Sequence, residues 1–357
     1  MKICIIGLPQ TGKKTLFKLL TKHSPSEQEM ASGRPIKSIA EVKDPRFDKL
    51  VSIYKPKKEA RARIEIELFP KLEENSFTKG DFIKDLSEAD AICHAVRVFQ
   101  DESVYHISGS VDPKRDIDML NSELILHDLV FIEKRLERIQ KESKSGADSN
   151  TLKEKEVLLK LKEQLDKEMP LRLVELKAEE RKCISGYPFL TQKKMVVALN
   201  ISEDGLKKTD VLNSIKNSYK DKDIDIMQVS AKVEAEIAQL ENEGERKDFL
   251  SALGIEEPAI DMLTRLCIKA LNLISYFTVG PDEVKQWPIK FGASAPEAAG
   301  AIHKDIQRGF IRAELIKYND LIQLGSEEKV KEAGKFYLKG KDYIVDDGDV
   351  MTFRFSV

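Results

Sequence analysis

The chain has 357 residues, 34% of them charged, and a formal net charge of -2. That length exceeds one ordinary domain and leaves room for two or three units with ample cores. The balanced charge excludes a globally basic nucleic-acid binder and moves any such contact to a local patch. No apolar run reaches membrane-spanning length, the first residues read as a core strand rather than a cleavable signal, and Cys4, Cys93, Cys183 and Cys267 have no C-x-x-C spacing. The expectation is a cytoplasmic protein with reduced thiols.

The chain opens with MKICIIGLPQTGKKTLFKLL. Ile3 to Ile6 are apolar without alternation, as in a parallel strand buried on both faces. Gly7 and Gly12 bracket Leu8, Pro9, Gln10 and Thr11, the spacing at which backbone amides curl round a phosphate while Lys13 reaches its terminal oxygens. Thr15, Leu16, Leu19 and Leu20 continue at helical spacing, so a helix amino terminus faces the same anion. The pattern G-x-x-x-x-G-K-[ST] is broken at its last place by Lys14, which removes the hydroxyl that ordinarily ligates magnesium. A Gly-rich strand-to-helix turn that binds nothing is the competing reading.

Residues 23 to 46 are polar and irregular, with Ser32, Gly33 and Pro35 marking a loop before a segment from Ser38 to Val42. Ser32 offers a hydroxyl where a metal-sensing switch would lie, although a plain surface loop accounts for the stretch as well. KPKKEARAR, Lys55 to Arg63, is the one dense basic run. Solvated surface is its ordinary reading, with phosphate backbones as the alternative. Ile64 and Ile66 alternate with Glu65 and Glu67 in a strand whose carboxyl end carries an acid, and Glu67 is the candidate metal ligand there. Phe69, Pro70, Lys71 and Leu72 follow without the glycine that a phosphate-sensing loop uses. ADAICHAVRVF, Ala89 to Phe99, is a further buried strand, and its His94 reads as a core residue.

From 114 to 183 the composition becomes rich in Leu, Glu and Lys. Ile125, Leu129, Ile132, Leu136 and Ile139 recur at spacings of four and three, and Leu158, Leu161, Leu165 and Met169 repeat the pattern after SKSGADSN. This predicts a helical hairpin packed as an antiparallel coiled coil. Buried-strand patterns return at Met195 to Leu199 and Ile226 to Val229. In a doubly wound sheet their carboxyl ends would bring Asn200, Glu203, Ser230 and Ala231 near Gly7 to Lys13. From about Tyr276 a small α+β module closes the chain, with Ser294 capping a short helix and an Asp347-Gly348 turn joining the last strands.

GLPxxGKxTLF at Gly7 to Phe17, KDPRFDKL at Lys43 to Leu50, ADAICHAVRVF, LNISEDG, GIEEP at Gly254 to Pro258, and YFTVG through GDVMTFRF resemble, in order and spacing, segments of the YchF family of Obg-related P-loop nucleotidases. The resemblance implies an α/β fold: a P-loop nucleotidase with a doubly wound sheet (1–113 and 184–275), an inserted antiparallel helical coiled-coil arm (114–183), and a carboxyl-terminal ubiquitin-like TGS domain (276–357). It implies nucleotide contacts from Gly7, Leu8, Pro9, Gln10, Thr11, Gly12, Lys13, Lys14 and Thr15, and from Asn200, Glu203, Ser230 and Ala231. Asn200 to Glu203 matches the family's N-x-x-E in place of the N-K-x-D of guanine-specific relatives, which implies ATP favoured over GTP.

The departures fall on one function. Lys14 replaces the family serine, Glu67, Leu68, Phe69 and Pro70 replace D-x-x-G, and ENSFTKGDF replaces the Gly-rich switch. Mg²⁺ ligation and terminal-phosphate sensing are therefore in doubt while the phosphate cradle and base-reading residues remain, and no residue is assigned a catalytic role. The resemblance implies a nucleotide-binding regulator with weak hydrolysis, partnered with a ribosome or RNA-protein complex through the arm and TGS domain, with no membrane and no reading of DNA sequence. The alternative is a pseudo-nucleotidase scaffold or adaptor without catalysis, with or without a bound nucleotide.

Overall fold

The computed structural model describes residues 1–72, 76–78, 80–143, 148–240 and 242–356. Its strands are β1 (Lys2–Ile6), β2 (Ile36–Glu41), β3 (Lys58–Ala60), β4 (Arg63–Leu68), β5 (Ala91–Arg97), β6 (Lys194–Asn200), β7 (Ile224–Val229), β8 (Leu273–Thr278), β9 (Glu283–Lys290), β10 (Phe310–Lys317), β11 (Phe336–Lys339) and β12 (Asp349–Phe355). They form two six-stranded sheets, ordered β2-β4-β1-β5-β6-β7 and β11-β10-β12-β8-β9-β3. The chain divides into two compact units, residues 1–38 with 65–260 and residues 39–64 with 261–357.

In the first unit, β1 pairs in parallel with β4 on one side and β5 on the other, and β5, β6 and β7 continue in parallel. Both faces of these strands are covered, which is why β5 is buried at every position and β6 at all but its first. The strand order reverses at β1, so the turn that follows it opens at a topological switch point, where ligands of such sheets collect. The doubly wound α/β sheet expected from the sequence is the one observed.

The helical insertion is a long helix, Pro113–Ser143, followed by Ser149–Asp166. Ile132, Ile139, Leu158, Leu161 and Leu165 are buried together with Leu171, Ile184 and Phe189, and Ile125, Leu129 and Leu136 pack against them. Ion pairs Arg135 to Glu154 and Lys162 to Glu133 cross between the two helices. Met169, read as the last repeat of the pattern, lies beyond the second helix, which ends at Asp166. Of SKSGADSN, residues 144–147 lie outside the described residues, as do 74, 75 and 79 of ENSFTKGDF.

The second unit has a mixed sheet. β10 pairs antiparallel with both β11 and β12, β12 runs parallel to β8, and β8 is antiparallel to β9. One core lies under helix Ala295–Ile302, which Ser294 caps as expected from the sequence, with Glu297 making the cap reciprocal. The Asp347-Gly348 turn does not join the last two strands as a hairpin. β10 lies between β11 and β12, and Asp347 is instead engaged by Arg46 and by the Ser275 amide.

Two further expectations are refined. The polar stretch 23–46 is not irregular throughout: it holds helix Glu27–Ala31, capped reciprocally by Ser26 and Glu29, and then β2, while the Ser32 hydroxyl donates to Glu29 O at 2.7 Å. The basic run is largely solvated surface, as expected, with Lys55, Lys57, Lys58 and Arg63 exposed, but it is ordered rather than a bare cationic patch. It contains β3, which pairs with β9, and its cations meet carboxylates in the same unit: Lys57 with Asp282, Lys58 with Glu283 and Arg61 with Asp48. No described helix is long and apolar enough to cross a membrane.

Candidate phosphate loop and nucleoside cavity

Two glycines make the turn after β1 possible, for different reasons. A Cβ on Gly7 would lie 2.5 Å from Ala95 O on the neighbouring strand. Gly12 has φ +87° and a Cβ there would lie 2.2 Å from Asn200 Nδ2, so both backbone conformation and space require glycine. Between them Leu8 is buried, Gln10 adopts φ +61°, and the buried Thr11 hydroxyl donates to Leu8 O at 3.1 Å. Gly12 caps helix Lys13–Thr21, whose first turn has no acidic residue to oppose an anion.

Lys13 is buried, and its Nζ donates to Gly7 O at 2.9 Å and Pro70 O at 2.8 Å. Burial, with Lys14 and Lys71 nearby, pushes its ammonium down from 10.5 to about 7. A cavity of about 840 Å³ beside the loop is lined by Gln10, Thr11, Lys13, Lys14, Lys71 and Asp81, among others. Three lysines therefore border one space. Such a space suits a polyanion, because a phosphate oxygen is a stronger acceptor for Lys13 than a neutral carbonyl.

Asn200, at the end of β6, ties the far side of the loop. Its Nδ2 donates to Thr11 O at 3.0 Å and its Oδ1 accepts from Ala231 N at 3.0 Å. Ser230 caps helix Ala231–Gln239 through its hydroxyl, and Glu203 lies exposed in a single-turn helix, Glu203–Gly205. Asn200, Glu203 and Ala231, with Gly12 and Thr15, line a second cavity of about 680 Å³. The loop residues, Asn200, Ser230 and Ala231 are thus brought together, and Glu203 stands at the rim of the second cavity.

Glu67 is not brought to this place. It is buried in β4, level with Cys4, and its Oε1 meets Lys37 Nζ at 3.3 Å and Lys2 Nζ at 3.6 Å. The residues present do not fit the magnesium site of such folds. Lys14 takes the motif place of the hydroxyl and lines the cavity, Glu67 is engaged by two lysines, and among the described residues no group of three or more His, Cys, Asp or Glu could hold a metal ion.

His94 is buried level with Ile6 in β5, and neither ring nitrogen has a hydrogen-bond partner. Burial, with a smaller contribution from the Lys13 charge, lowers its pKa to about 3, so it is neutral. Lys71 and Asp81 on the first cavity, and the segment Phe99 to Val104 along the second, were not among the residues expected at the site. One signal was available for the last: Arg97 is the only charged side chain inside ICHAVRVF, and a cation in a buried strand needs a partner.

Residues 273–356 match the family model YchF-GTPase_C, described as a protein of unknown function (DUF933). The chain is similar to the ribosome-binding ATPase YchF of Haemophilus ducreyi, 40% identical over 363 residues covering 100% of this chain and 99% of that protein. It is 40% identical over 363 residues to the ribosome-binding ATPase YchF of Bacillus subtilis, covering 99% and 98%. Among solved structures it matches that of the Schizosaccharomyces pombe YchF GTPase with a TM-score of 0.85 and 30% identity, over 99% of this chain and 97% of that one.

Proposed function

The chain belongs to the YchF family, and from that premise we propose that it is a cytoplasmic purine-nucleotide-binding regulator that favours ATP over GTP, hydrolyses it weakly, and acts with ribosomes or other RNA-protein complexes. The observation that carries this reading is the pair of cavities sharing Gly12 and Thr15, one bordered by Lys13, Lys14 and Lys71 and the other by Asn200 and Glu203. A triphosphate would lie along the helix amino terminus in the first, and a purine would lie beside Asn200 and Glu203 in the second. The relatives' names support the ribosomal partner, which the arm, 114–183, and the TGS domain, 276–357, would engage around a nucleotidase core of 1–113 and 184–275.

Weak hydrolysis follows from the chemistry of the lining. Phosphoryl transfer needs charge neutralisation and a positioned water. Lysines supply the first, while Phe69 to Leu72 has no glycine and Pro70 lacks an amide hydrogen to offer a terminal phosphate.

A second reading, a nucleotide-binding scaffold that needs no metal and performs no catalysis, is favoured by the engagement of Glu67 with Lys2 and Lys37 and by the place of Lys14 and Lys71 on the cavity wall. Calorimetry with ATP, GTP and ADP, with and without magnesium, separates the two, alongside turnover measured against a Lys13→Ala control. Turnover no faster than the control rejects hydrolysis, binding abolished by EDTA rejects the metal-free scaffold, and no heat with any nucleotide rejects both.

A further inference from the structure

β5 is buried along its whole length and yet ends in a guanidinium. Arg97 is 2% exposed. Its Nε donates to Phe99 O at 3.1 Å, Nη1 to Val104 O at 2.9 Å and Nη2 to Asp101 O at 3.1 Å, and its guanidinium carbon lies 4.5 Å from the Phe99 ring centroid. All three acceptors are neutral carbonyls of one six-residue segment. Desolvating a cation is costly, and carbonyls offset that cost less well than a carboxylate would. The planar fork is suited to this arrangement because its donors diverge, so one side chain fixes three points of a curved backbone, which a lysine could not do.

The segment so held is one wall of the second cavity, which Phe99, Gln100, Asp101 and Val104 all line. It leaves β5 directly beside the other wall: Arg97 is the register partner of Asn200, and the amides of Val98 and Phe99 donate to Asn200 O at 2.8 and 3.1 Å. Asn200 therefore fixes the phosphate loop and Ala231 through its side chain and the start of the opposite wall through its carbonyl, and Arg97 fixes the rest of that wall.

We propose that Arg97 is the positioning residue of the nucleoside wall, its guanidinium holding Phe99 to Val104 in the curve that admits a purine nucleoside opposite Asn200 and Glu203. The proposal rests on the nucleotide reading above. It assigns to Arg97 no contact with the phosphates, so it separates the two halves of the ligand. Inorganic tripolyphosphate probes the lysine-bordered half alone, and ATP probes both.

The test is the affinity of the full-length chain for ATP and for tripolyphosphate in the wild type, in Arg97→Gln and Arg97→Lys, and in a variant with two glycines inserted between Glu102 and Ser103. Both of those residues are exposed, so the insertion loosens the wall without touching the core. Loss of charge-assisted bonds of this kind predicts ATP affinity falling about tenfold in Arg97→Gln and in the insertion variant. Tripolyphosphate affinity stays at the wild-type value, and Arg97→Lys, which can satisfy fewer carbonyls, falls between. Equal weakening of both ligands, or of neither, overturns the role of Arg97. Should the Arg97 variants fail to fold, the insertion alone decides on the same criterion. A wild-type chain that binds neither ligand removes the nucleotide reading itself, and this proposal with it, whereas a wild-type chain that binds both leaves only Arg97 in question.

Discussion

Asn200 and Thr11 are 189 residues apart in the chain, and the side-chain amide of one holds the main-chain carbonyl of the other at 3.0 Å. The same amide accepts from Ala231 N, so a single buried side chain bolts the turn after β1 to the segment after β7. Replacing it with alanine leaves a carbonyl and an amide unpaired in the interior, and the expected loss is about 2–5 kcal/mol of unfolding free energy. Asn200→Asp keeps the acceptor for Ala231 but turns a carboxylate oxygen toward Thr11 O. That variant is expected to regain stability as acid protonates the new carboxyl and restores a donor. Urea unfolding of both variants checks the account, and an Asn200→Ala midpoint equal to wild type would refute it.

The glycines of the first unit are not equivalent. Gly12 and Gly33 both have positive φ, +87° and +67°, but only Gly12 has a neighbour where a Cβ would stand. Gly33→Ala is therefore expected to cost the left-handed conformation alone, about 1–2 kcal/mol. Gly12→Ala adds a clash at 2.2 Å with a side chain that is itself held at both ends, and it should unfold at a markedly lower denaturant concentration than Gly33→Ala. Equal midpoints for the two would mean that the Asn200 contact is slack.

What was legible in the sequence was whatever a local pattern carries. The buried strands were visible as apolar runs, the arm as a four-and-three repeat, and the phosphate turn as two glycines and a lysine at fixed spacing. Where residues 39–64 pack was not legible, because Phe47 and Leu50 find their core beside Phe277 and Val284, more than 200 positions away, and no local period announces that. The carboxylate partners of Lys57 and Lys58 were hidden for the same reason. The position of Glu67 was readable but its surroundings were not: an acid at a strand end looks like a ligand until Lys2 and Lys37 are seen beside it. Arg97 is the opposite case, a local anomaly in an apolar strand whose meaning lay in the backbone that follows it.

Lys13 gives the first unit a pH dependence of definite sign. Its ammonium ionises near 7 in the folded chain, chiefly through burial, against the ordinary 10.5. Between those values the unfolded chain binds a proton that the folded chain does not, so this group makes stability rise with pH from about 7 to 10.5. Below about 7 both forms carry the proton and the cost of the buried charge is fully present. Lys13→Met removes the group. The wild-type minus variant difference in unfolding free energy is therefore expected to climb from neutral to alkaline pH, and a flat difference would show that the ammonium is solvated in the folded chain.

Glu67 offers the sharpest separation between a structural carboxylate and a metal ligand. Its carboxylate lies between Lys37 at 3.3 Å and Lys2 at 3.6 Å, and it raises the Lys37 pKa above the ordinary value through their hydrogen bond. Glu67→Gln keeps the shape and removes the charge. Because both lysines reach solvent, the expected loss is modest, roughly 1–2 kcal/mol, and it should shrink as salt screens the pair. A structural carboxylate makes one further demand: the ratio of ATP affinities measured with magnesium and with chelator must be the same in Glu67→Gln as in the wild type. A ratio that collapses to one only in the variant would return Glu67 to the metal, and with it a hydrolytic role for the phosphate cavity.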